Sequence, residues 1–135
     1  MESVSALMTR DVISVHPDTP LLEVQNLLKQ HGFRHLVVVD DDGALSGVLS
    51  NRDVLKALSP FLNTNAETQR DVRTLAQPAR NLMNKTPHTV TPDTSAQEAA
   101  SVLLDGAISA LPVVEGDELV GIITTKDLLR YYTAA

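Results

Sequence analysis

The chain is one sequence written twice. Met8-Thr9-Arg10 returns 75 positions later as Met83-Asn84-Lys85, and Val15-His16-Pro17-Asp18-Thr19 returns as Val90-Thr91-Pro92-Asp93-Thr94. The same offset pairs Glu23 with Glu98, Leu28 with Leu103, Leu36 with Leu111, and Val38-Val39 with Val113-Val114. One deletion then lowers the offset to 74, and Gly47-Val48-Leu49-Ser50-Asn51-Arg52-Asp53 matches Gly121-Ile122-Ile123-Thr124-Thr125-Lys126-Asp127. So many matches in order, with one short gap, constrain the fold to two similar units.

Each copy implies the same series of elements. Thr19 and Thr94 are expected N-caps, each hydroxyl accepting from an unpaired helix amide. Pro20 falls at the expected first helical position, and Thr94 with Gln97 reads as a capping box. Leu21, Val24, Leu27 and Leu28 then follow at helical spacing, as do Ala96, Ala99, Ala100, Leu103 and Leu104. Gly32 and Gly106 are the expected helix ends. Strands are expected over 36–39 and 111–114, polar turns over 40–43 and 115–117, and second strands over 45–50 and 119–124. A closing helix begins near Arg52 and near Lys126. The unit is strand, helix, strand, strand, helix with a short lead-in, an α/β (α+β) pattern whose sheet face needs a second copy to cover it. Repeat 1 is assigned to 1–58, a connector to 59–77 with a solvated helix over 66–75, and repeat 2 to 78–135.

Composition excludes several classes. A formal charge of −6, no Trp, and two each of Phe and Tyr argue against nucleic acid, which draws basic and aromatic surfaces. The absence of Cys removes disulfides, thiol nucleophiles and thiolate metal sites and fits a reducing, cytoplasmic setting. No apolar run approaches the ~20 residues of a membrane span. No basic stretch followed by an apolar one opens the chain, so no signal peptide is expected. G-x-S-x-G, the Walker loop and H-E-x-x-H are all missing, and no nucleophile has an evident base, so catalysis is not expected.

The lead-in Met, the Val-x-Pro-Asp-Thr helix entry, Leu111-Pro112-Val113-Val114 and the closing Gly-hydrophobic-hydrophobic-[Ser/Thr]-x-x-Asp of both copies resemble a tandem pair of CBS domains, a Bateman module. The resemblance covers about residues 4–58 and 78–132. It implies two repeats related by a pseudo-two-fold axis with their sheets packed together. It also implies two clefts for AMP, ADP, ATP or S-adenosylmethionine, possible magnesium beside a polyphosphate, homodimers, and a regulatory action on a partner protein.

Residue chemistry points the same way. Ser50 and Thr124 end a strand where a helix begins, and a hydroxyl with free amides there suits a phosphate. Asp53 and Asp127, one turn in, suit a ribose diol, and Arg52 and Lys126 add positive charge. The alternative is that Ser50 and Thr124 only cap helices and each Asp only favours a first turn. Carried over from the family, one cleft would use Ser50, Asn51, Arg52 and Asp53 with His88, Ile108, Ser109 and Ala110. The other would use Thr124, Thr125, Lys126 and Asp127 with Ile13, Phe33, Arg34 and His35. Phe33-Arg34-His35 departs from the smaller family pattern, and Val37 stands where repeat 2 has Pro112. Those bulky groups either fill the cleft or bring Arg34 to a polyphosphate. The alternatives are therefore a ligand-independent dimerisation module and an S-adenosylmethionine binder. Arg52 and Lys126 disfavour the latter's sulfonium.

Other candidates read as structural. His31 and His35 have Gly32 between them and no third ligand, so a metal is not expected. Asp40-Asp41-Asp42-Gly43 lacks the length and distal Glu of a calcium loop and reads as a solvated turn. His16 is expected to be exposed.

Overall fold

Helices, strands and turns follow the repeat closely. In the computed structural model, which describes residues 2–57 and 73–134, α1 spans Val4–Leu7, β1 Ser14–Val15, α2 Leu21–His31, β2 His35–Val39, β3 Leu45–Ser50 and α3 Asn51–Ala57. A single 3₁₀ turn covers Ala79–Asn81; α4 follows at Ala96–Gly106, β4 at Ala110–Glu115, β5 at Glu118–Thr124 and α5 at Thr125–Thr133. The fold is mixed α+β. Most of the connector, including residues 66–72 of its expected helix, lies outside the described residues.

Two compact units form, and they cut across the sequence repeats. The Asp53 unit holds residues 13–42 and 46–85, and the Asp127 unit holds residues 1–12, 43–45 and 86–135. Each lead-in thus serves the other copy. Thr9 exchanges backbone hydrogen bonds of 2.9 and 3.0 Å with Ile122, and Asn84 exchanges bonds of 2.9 and 3.1 Å with Val48. Val4 N–H donates to Thr94 O at 2.7 Å, matched by Ala79 to Thr19 at 2.8 Å. Glycine is what lets the lead-ins approach. A Cβ at Gly47 would lie 2.6 Å from Asn84 O, and one at Gly121 would lie 2.7 Å from Met8 Sδ and 2.9 Å from Thr9 O.

The helical stripes become the cores. Leu21, Val24 and Leu28 of α2 bury with Leu36, Val38 and Leu49 in the Asp53 unit. Ala96, Ala99 and Leu103 of α4 bury with Leu111, Val113 and Ile123 in the Asp127 unit, where the lead-in adds Val4 and Met8. Each fully buried aliphatic side chain contributes roughly 1.5–3 kcal/mol. No polar or charged residue is buried among those described, so both cores are held by apolar contact.

The sheets are unequal. The Asp53 unit has three strands in the order β1-β2-β3, with β1 parallel to β2 through Ser14–Val37 and Val15–Val38. The Asp127 unit has β4 and β5 antiparallel. The strand expected to open repeat 2 is reduced to a parallel bridge between Val90 and Val113.

The expected caps are displaced by one residue. Pro20, not Thr19, is the N-cap of α2, and it precedes rather than opens the helix. Thr19 Oγ1 instead accepts from His16 N–H at 2.9 Å, closing the entry loop. Ser95 caps α4 by accepting from Glu98 N–H at 3.1 Å, while Thr94 Oγ1 accepts from Thr91 N–H, so the Thr94–Gln97 box does not form. Gly32 is the left-handed C-cap of α2 with φ +67°, but in repeat 2 that conformation falls on Ala107, and Gly106 is the last helical residue.

Candidate functional site

Reciprocal capping fixes both candidate carboxylates. Ser50 Oγ accepts from Asp53 N–H at 3.0 Å while Asp53 Oδ2 accepts from Ser50 N–H at 3.0 Å. Thr124 Oγ1 accepts from Asp127 N–H at 3.2 Å, and Asp127 Oδ2 accepts from Thr124 N–H at 2.9 Å and from the Thr124 hydroxyl at 3.0 Å. Both hydroxyls therefore cap their helices. The aspartates do more than complement a dipole, because each satisfies its own N-cap amide. A carboxylate has about four acceptor sites. Among the described residues Oδ1 of Asp53 accepts no hydrogen bond, so it keeps capacity for a diol. Among the described residues the one ion pair of Asp127 Oδ1 is with Arg130 at 3.8 Å, and the Asp127 side chain is 11% exposed.

The strand starts bring further candidates to the same ends. Asn51 N–H donates to Arg34 O at 2.7 Å, so Arg34 and the half-buried His35 sit beside Ser50 and Asp53. Thr125 N–H donates to Ser109 O at 2.9 Å, and Ala110 pairs with Thr124 across β4 and β5. Asn51, Arg52, Arg34, Thr125 and Lys126 are exposed, as a charged contact for a ligand requires. Burial lowers the pKa of His35 below 6.5, partly opposed by Asp53 and reinforced by Arg34. Ala110 occupies the same place in repeat 2 and cannot titrate.

Two imidazoles take unexpected partners. His31, read from sequence only as a helix-end residue, stacks on Phe33 with centroids 5.1 Å apart and planes 14° apart. His88 lies with Ile108 beside Gly106, where an added Cβ would be 3.4 Å from both side chains. Ile13 packs partly buried on the Asp53 unit's core. His16 is not freely exposed: its Nδ1 accepts from Asp18 N–H at 3.0 Å and its Nε2 lies 3.0 Å from Asp41 Oδ1. The i,i+2 spacing of His31 and Phe33 around a left-handed Gly32 was the available signal for the stack. The close contacts of Gly47 and Gly121 had none in a single copy, because their partners come from the opposite lead-in.

Among the described residues no three His, Cys, Asp or Glu side chains are grouped to hold a metal ion, and Asp40–Asp42 form a turn closed by Asp42 N–H on Asp40 Oδ1. No described helix is long and apolar enough to cross a membrane.

Comparison with known families settles the kinship. The CBS domain model matches residues 4–60 and 79–134. The chain belongs to the CBS-domain family. The CBS domain-containing protein YhcV of Bacillus subtilis is 33% identical over 128 residues, covering 95% of this chain and 84% of that protein. The uncharacterized protein MJ1404 of Methanocaldococcus jannaschii is 33% identical over 131 residues, but this CBS pair spans 31% of its length. CBSX2, solved in complex with AMP, superposes with a TM-score of 0.83 at 29% identity, covering 98% of this chain and 96% of that one.

Proposed function

We propose that this CBS pair is a regulatory module that binds an adenosine nucleotide (AMP, ADP or ATP) and signals its presence to a partner protein through a conformational change. The supporting observation is the pair of capping-box aspartates, each held rigidly with one carboxylate oxygen left for a ribose diol, in a chain so similar to an AMP complex over its length. Ser50, Asn51, Arg52, Thr124, Thr125 and Lys126 are proposed for the phosphates. His88, Ile108, Ser109, Ala110, Ile13, Phe33, Arg34 and His35 are proposed for the base-facing walls and, through Arg34, for a polyphosphate with or without magnesium. The reading includes a homodimer, a cytoplasmic setting and no catalysis. The signal is limited by the ligand's differential affinity for the two conformations.

A second reading, a ligand-independent interaction module, is favoured by Phe33 and Arg34 standing where repeat 2 has Ile108 and Ser109. Thermal unfolding against AMP, ADP, ATP, S-adenosylmethionine and GTP, with and without magnesium, separates the two. A ligand at a hundred times its Kd adds about 2.7 kcal/mol, or several degrees. A selective rise with an adenosine nucleotide, reduced in Asp53→Asn or Asp127→Asn, is expected. No rise with any of them would hand the case to the second reading, and a rise with S-adenosylmethionine alone would replace the ligand.

A further inference from the structure

Each repeat presents an exposed apolar side chain just after its first long helix, with an imidazole in its neighbourhood, and in the Asp53 unit the two stack. In the Asp53 unit the apolar group is Phe33, 42% exposed, and the imidazole is His31. In the Asp127 unit it is Ile108, 37% exposed, and the imidazole is His88. The exchange is reciprocal in sequence: position 31 is His where its counterpart 106 is Gly, and position 88 is His where its counterpart 13 is Ile. A Cβ at 106 would stand in van der Waals contact with His88 and Ile108.

The chain does not spend Phe33 on its core, yet it fixes the ring's location closely. Gly32 turns the chain through a left-handed residue, and Phe33 N–H donates to Leu28 O at 3.1 Å, which sends side chains 31 and 33 to the same side. The next carbonyl, of Arg34, is fastened to Asn51 N–H, two residues from Asp53. A solvent-exposed ring held this way gains nothing for folding that a smaller side chain would not supply, but it offers a flat face whose orientation is set before a ligand arrives.

We propose that His31 is a positioning residue: by stacking on Phe33 it holds the phenyl ring as a platform for a planar heteroaromatic base, the purine of an adenosine nucleotide. The inference rests on the nucleotide reading above and extends it to a residue outside the family-derived walls. Base–aromatic stacking is strong enough that misplacing the ring costs roughly tenfold in affinity. His31 is exposed, so its replacement leaves folding nearly unchanged.

The test measures AMP binding by calorimetry and the ring-current shift of the adenine protons by NMR, in the wild type, His31→Ala and His31→Phe. The expected result is about tenfold weaker AMP binding and a diminished shift in His31→Ala, with both restored by the aromatic replacement in His31→Phe. Equal binding and shift in His31→Ala and wild type would overturn the proposal, as would equal loss in both variants. A wild type that binds neither AMP, ADP nor ATP would overturn the nucleotide reading and this one with it, a failure recognisable because it needs no variant.

Discussion

At Asp53 and at Asp127 the same capping box is built from different surroundings. Around Asp53 stand Arg34, a half-buried His35 and, nearby, the His31–Phe33 stack. Around Asp127 stand Ser109 and Ala110, with Arg130 3.8 Å from the carboxylate. A helix start is thus the conserved piece of machinery within this chain, while the strand start facing it has diverged in size and charge. The lesson is that duplication preserved what the backbone needs and released what only a ligand would notice.

The comparison breaks first at the lead-ins. Gly47→Ala and Gly121→Ala are each expected to destabilise by about 2–3 kcal/mol, read by denaturant unfolding, because overpacking forces the backbone apart. Gly47→Ala should be the worse, since its nearest obstacle is the Asn84 carbonyl, whereas the sulfur of Met8 can swing away from Gly121. Equal or negligible losses would mean that the lead-ins yield together. Next come the caps: Ser50→Ala and Thr124→Ala should each cost about 1 kcal/mol. Thr124→Ala should lose more, because it removes the hydroxyl bond to Asp127 as well.

A gain is expected where repeat 2 departs from repeat 1. Ala107 has φ +51° at the place Gly32 takes in repeat 1, so Ala107→Gly should stabilise by about 0.5–1 kcal/mol, visible as a rise in Tm. The smallest effect belongs to His35. Its folded pKa lies below the unfolded value of 6.5, so the folded state binds fewer protons. The stability it contributes is complete above 6.5 and is lost as pH falls from there through the lowered folded value. Unfolding measured across that window should show less pH dependence in His35→Gln, while Ala110 gives the Asp127 unit no such term.

Much of this could be read from the sequence because repetition doubles every weak signal. The apolar stripes at Leu21, Val24 and Leu28 and at Ala96, Ala99 and Leu103, the strands, and the helix starts after Ser50 and Thr124 all fell where the pattern placed them. Local hydroxyl chemistry was less legible. Thr19 and Thr94 each had two backbone amides within reach, and the one three residues behind won over the one ahead. The strand expected to open repeat 2 shrank to a bridge at Val90, whereas its counterpart β1 keeps two residues, each ending one residue short of a proline-led turn. Gly106 looked like the helix-ending cap because it is a glycine, but it is the last helical residue and the left-handed cap falls on Ala107. At the candidate site Ser50 and Thr124 were legible as helix caps, but the return bonds from Asp53 and Asp127 that close the boxes were not, and the His31–Phe33 contact depended on a turn that no periodicity reports.

The crossing of the lead-ins has a consequence for how the molecule is made. The Asp53 unit is complete once residue 85 has been synthesised, but the Asp127 unit pairs Thr9 with Ile122 and Val4 with Thr94. At typical synthesis rates of roughly 5–20 residues per second, the first lead-in waits several seconds for its partners. During that wait Val4 and Met8, buried in the finished protein, are exposed on a nascent chain, and the unit that closes later is the one that needs the earlier lead-in. Deleting residues 4–8 should therefore damage the later-translated Asp127 unit rather than the Asp53 unit that follows them directly.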